Sequence, residues 1–92
     1  MGQSVDNTII ERESTHGEPF AQANVAQNIK HAMRKEPEWD QLSVLQAESL
    51  EMIATKISRI IKGNKNNLDS WLDLAGYAAL VYNHLSSLSE DS

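Results

Sequence analysis

Apolar side chains recur along this chain at the period of a helix, and nowhere at the alternating period of a strand. The clearest run is Leu50, Ile53, Ile57, Ile60 and Ile61, which falls within about 60° of Ile57 on a wheel of 100° per residue. Ser43, followed three residues later by Gln46, has the spacing of a capping box at its start. Lys62 and Gly63 mark its stop, and Asn64, Lys65 and Asn66 make a polar turn. Asn67 then caps another helix, with Leu68, Trp71, Leu72, Ala75, Ala78, Ala79, Tyr82 and Leu85 forming a wide apolar face on which Trp71 reads as core. Two helices of about 20 residues joined by so short a turn are expected to lie antiparallel as a hairpin.

Upstream the pattern is thinner. Pro19 suits a first helical position, and a helix from there to about Lys35 puts Val25, Ala26, Ile29, Ala32 and Met33 on one side. Phe20, Asn24, Gln27, His31 and Arg34 line another side of it. Glu36, Pro37 and Glu38 interrupt it, and Trp39 is expected to fold back over the bundle. A first short helix over Val5–Ser14 has only Ile9 and Ile10 as strong apolar residues, with Gly17 closing it. From Ser86 onward the serine-rich end reads as a fraying tail. The expectation is one all-α domain over residues 1–92, with a core from about 5 to 86 and a tail over 87–92. It is a small bundle of about four helices with a C-terminal hairpin.

Size and charge narrow the picture. A chain of 92 residues buries a modest share of its surface, so completion by a homo-oligomer, dimer or higher, is expected. Thirteen acidic residues against eight basic ones give a formal charge of -5, which argues against nucleic acid as a partner. Cysteine is absent, so disulfides and thiolate zinc sites are excluded. Neither a secretory leader nor a membrane-length apolar run is visible, and a cytoplasmic protein without a membrane partner is the expectation.

The candidate chemistry lies around the polar turn. Asp69 and Asp73 are one helical turn apart, on the same side of a helix and about 5 to 6 Å apart at Cβ. A hard divalent cation such as Mg²⁺ takes one or two carboxylates together with substrate phosphates, and this pair suits that role. Two plainer readings stand beside it: carboxylates favoured by the dipole at a helix start, or a pairing of one of them with Lys56 or Arg59. Glu48 and Glu51 lie on the preceding helix, away from its apolar stripe, and join the acids only if another helix packs there. Lys56 and Arg59 are candidates for nucleotide phosphates. His16 beside Gly17 is a further candidate, and Tyr77, off the main stripe, is a candidate for base stacking. Gly76, in mid-helix at a cost of about 1 kcal/mol, points to close packing or a nearby ligand.

Glu48-x-x-Glu51 on one helix followed by two acids on the next resembles the organisation of MazG-like nucleoside triphosphate pyrophosphohydrolases. Their Glu-x-x-Glu and Glu-x-x-Asp pattern binds Mg²⁺; this chain has Asp69-x-x-x-Asp73 in the second place. Arg12-Glu-x-x-His16-Gly17, Lys56-Ile-x-Arg59 and Asp69-x-Trp71-x-Asp73-x-Ala75-Gly76-Tyr77-Ala78 are similar to a family of small phage-encoded helical domains of unknown function. These resemblances imply a phage or prophage accessory protein. The activities expected of it are Mg²⁺-dependent nucleotide binding or hydrolysis, with Glu48, Glu51, Asp69 and Asp73 around the metal, or the binding of a host or phage protein, and the phage family itself implies no settled activity.

Overall fold

The computed structural model describes residues 18–91, and within them every regular element is helical. Helix α1 spans Glu18–Arg34, a 3-10 turn follows at Pro37–Gln41, α2 spans Val44–Lys62 and α3 spans Leu68–Asp91. The expected first helix at Val5–Ser14 and its neighbour His16 lie outside the described residues. Helix α3 continues past Ser86 through Asp91.

The element boundaries follow from local chemistry. Ser43 Oγ accepts from Gln46 N at 3.1 Å while Ser43 N donates to Gln46 Oε1 at 2.9 Å, so both halves of the capping box are made. At the other end of α2, Gly63 N donates to Arg59 O at 2.9 Å. A Cβ on Gly63 would lie 2.6 Å from Arg59 O and 3.0 Å from Gln22 Nε2, so only glycine fits where α1 crowds the end of α2. Asn64 Oδ1 accepts from Asn66 N at 2.9 Å, which folds the turn. Asn67 Oδ1 accepts from Ser70 N at 3.0 Å and caps α3.

Packing is arranged in a single layer with α2 in the middle. Helix α1 packs against one flank of α2 and α3 against the other. Arg34 of α1 forms an ion pair with Glu51, and Ala26 shares a small hollow with Thr55 and Ser58. On the opposite flank Lys56 meets Asp73, while Ser49 and Ile53 share a groove with Ala78 and Val81. Both seams are built from small side chains. Ala26, Ser49, Ala54, Ser58 and Ser70 are buried, and Ile60 is the sole large aliphatic among the described residues that is buried with them. Small residues let helix backbones approach closely, and the larger side chains are displaced to the faces of the layer. Two hydroxyls of α2, buried Ser58 and half-buried Thr55, bond back along their own helix: Ser58 Oγ donates to Thr55 O at 2.7 Å, and Thr55 Oγ1 donates to Glu51 O at 3.3 Å.

Two expectations are corrected here. Leu50 and Ile61 of the apolar stripe are exposed while Ile60 of the same stripe is buried, because the middle of that stripe points between the two flanks that α1 and α3 occupy. Trp71, expected as core, is half exposed; its Nε1 donates to Lys65 O at 2.8 Å and pins the ring over the turn.

Candidate functional site

The polar turn between α2 and α3 brings the three helices to one end of the layer. Gln22 of α1, Arg59 and Gly63 of α2, and Asn67, Asp69, Ser70 and Asp73 of α3 line a polar concavity of about 430 Å³. Asn67 caps α3 from its rim, so the first backbone N–H groups of that helix belong to one small region with Asp69 and Asp73. Of the sequence candidates, Arg59, Asp69 and Asp73 meet here.

Asp73 already has a partner. Its Oδ2 lies 2.9 Å from Lys56 Nζ, and Lys56 is only 8% exposed, its stem sunk between α2 and α3. Removing an ammonium from water is costly unless a carboxylate compensates it, so this aspartate is needed where it stands. Asp69 and Arg59 are both exposed at the rim. Their charges oppose one another and leave the concavity without a strong net sign.

The remaining candidates lie elsewhere. Glu51 is committed to Arg34 across the α1–α2 seam, and Glu48 is exposed on α2. Within the described residues no group of three or more His, Cys, Asp or Glu side chains comes close enough to hold a metal ion. In a single chain the four acids do not gather. Tyr77 is half-buried and lines a separate, largely apolar hollow with Leu72, Asp73, Gly76 and Leu80, all of them on α3.

Within the described chain Gly76 lacks the close packing expected of it. A Cβ built on it meets no atom within 4 Å, so no helix of the described chain approaches it. Nor is it an exception on its side of α3. Leu68, Leu72, Ala75, Ala79 and Tyr82 are all exposed, Leu68 to 82% and Leu72 to 69%. Sequence reasoning read these residues as one apolar face. Of that face, Ala78 lines the groove shared with α2 while Leu68, Leu72 and Ala79 are exposed, and the half-buried positions Leu74, Tyr77 and Val81 are ones the expected face did not include. The signal for this was present in α3 being apolar over most of its circumference, the mark of a helix covered on more than one side.

A family model for a domain of unknown function, DUF6378, matches residues 3–84. The chain belongs to this family. No curated protein and no solved structure matches it. No helix among the described residues is long and apolar enough to cross a membrane.

Proposed function

We propose that this member of DUF6378 is a helical association module whose working surface is the open apolar side of α3. The observation that carries the reading is the contrast along that helix. The carboxylate best placed for chemistry, Asp73, is occupied by the nearly buried Lys56, while large apolar side chains such as Leu68 and Leu72 have nothing over them. Small domains gain their stability from two packed layers around a core, and the described residues supply a single layer of three helices. A helix that is apolar most of the way round needs cover on both sides. The reading fits a phage or prophage accessory protein that acts in the cytoplasm by binding another polypeptide, and the C-terminal hairpin supplies the surface.

A second reading keeps the polar concavity as a nucleotide site. Arg59, Asp69 and Asp73 share it, and Mg²⁺ held by the two aspartates would polarise a phosphate for attack by water, with Lys56 and Arg59 on the phosphates. Glu48 and Glu51 would join that metal only from another copy. The two readings differ in a single measurement. Thermal unfolding of the full chain is expected to be unchanged by millimolar Mg²⁺, because a module of this kind has no site for it. A rise of several degrees that disappears in both Asp69→Asn and Asp73→Asn would overturn the association reading in favour of the metal, since a ligand of the native state raises its stability by mass action.

A further inference from the structure

The open side of α3 has the chemistry of a surface that meets itself. We infer that its occupant is a second copy of this chain, packed α3 against α3, with Gly76 and Ala79 at the closest approach of the two helices. The inference rests on the association reading above and names its partner.

Charge is the first argument. The chain carries a formal charge of -5, so two copies repel unless they meet through a neutral surface. Residues 74–89 contain no Asp, Glu, Lys or Arg, the longest such stretch in the sequence. In a twofold contact each residue near the axis faces its own counterpart, and any charge there would face its like. A neutral helix avoids this, whereas the edge of α2 that carries Glu48, Arg59 and Lys62 does not.

Size is the second. Helix α3 has 24 residues, so it is about 36 Å long. The lower end of what a stable dimer buries is about 600 Å² per copy, and an open apolar side of this length is what would supply it. The competing cover from within the chain is residues 1–17. Their large apolar residues are Met1, Val5, Ile9 and Ile10, interspersed with Asp6, Glu11, Arg12 and Glu13, and four such side chains are too few for a surface of this extent.

Shape is the third. Gly76 costs helix stability, and no contact within the described chain offsets that. A helix crossing at Gly76 and Ala79 comes closer than it would over any larger residue, and Leu72 and Leu80 then flank the crossing as knobs on either side.

The test uses the full chain. Sedimentation across 1 to 100 µM (roughly the range in which a modest interface of this size associates) is expected to show a species of twice the 10.3 kDa chain mass. Leu72→Glu, at a side chain 69% exposed, should keep the helical circular dichroism and weaken association tenfold or more. Because the chain has no cysteine, Ala79→Cys offers an independent reading: it should give a disulfide-linked dimer on mild oxidation, and Lys62→Cys on the polar edge should not. A chain that stays monomeric throughout the range overturns the inference, whether residues 1–17 or a different protein covers α3, and leaves the association reading standing. A dimer that survives Leu72→Glu and gives no Ala79→Cys cross-link overturns it too, and assigns the contact to another face, such as that of Leu50 and Ile61. The Mg²⁺ arm above is separate and strikes only the association reading.

Discussion

The two sides of α3 are made of the same kinds of residue and have opposite fates. On the inner side, Ser70 is buried, Val81 lines a groove with Ser49 and Ile53, and Asp73 neutralises Lys56. On the outer side, Leu68, Leu72, Ala75, Gly76 and Ala79 face open space. Hydrophobic residues on a helix therefore report that it will be covered, without saying by what. What separates the sides is the neighbour: α2 meets the inner side through Ser70, Val81 and the Asp73–Lys56 ion pair, and the outer side has no such partner among the described residues.

That contrast is broken most severely at the seam. Ile60→Ala removes a large buried aliphatic at the α2 core and is expected to cost about 2 to 5 kcal/mol in chemical denaturation. Leu72→Ala on the outer side should cost under about 0.5 kcal/mol when measured at dilutions where the chain is a single copy. Equal losses at the two positions would mean that the outer side is covered within the chain itself.

A smaller effect is expected from the ion pair. Asp73→Asn leaves the Lys56 ammonium sunk in the seam without its carboxylate, at a cost of about 1 to 3 kcal/mol. This is below the 3 to 5 kcal/mol of a wholly buried pair, because the Asp73 side chain is 48% exposed to water. Lys56→Met, which removes the charge needing compensation, should cost less than Asp73→Asn. The reverse order, or an Asp73→Asn protein as stable as wild type with Mg²⁺ absent, would return the aspartate to the metal reading.

The two glycines sharpen the comparison because their signs differ. At Gly63 an added methyl group would press on Arg59 O, and Gly63→Ala should destabilise by about 1 to 2 kcal/mol. At Gly76 the same change meets nothing, and Gly76→Ala should stabilise the dilute chain by about 0.5 to 1 kcal/mol through helix propensity. Raised concentration should reverse that gain if a second copy packs at Gly76. Thermal unfolding of both variants at two concentrations reads all four values. The start of α2 serves as the control for the comparison: Ser43→Ala should cost about 1 kcal/mol, through loss of the cap on Gln46 N, whatever covers α3.

What could be read from the chain was local. Ser43 with Gln46, Asn67, and the Gly63 stop each satisfy or terminate backbone groups within a few residues, so their chemistry is complete in the sequence, and the all-helical class follows from the 3.6-residue period. The residues of the candidate site were legible as types and only partly as a place. Asp69, Asp73 and Arg59 come together because the turn that joins their helices is short, whereas Glu51 is drawn to Arg34, a partner 17 residues away that no spacing rule indicates. Trp71 and the Ile57 stripe were misplaced for one reason. A helical wheel shows which residues share a side but not where the neighbouring helices sit, and α2 takes its neighbours on the flanks carrying Ser49, Lys56 and Ala54, Ser58 rather than on its greasiest side. Small residues at those seams were the overlooked signal, since close approach rewards small side chains more than hydrophobic ones. The sequence by itself determined the helices, their ends and their apolar faces, because these depend on interactions within one or two turns. Tertiary structure alone decided which face is buried, which carboxylate meets Lys56 and which side of α3 is left open, because those depend on where three helices come to lie in one layer.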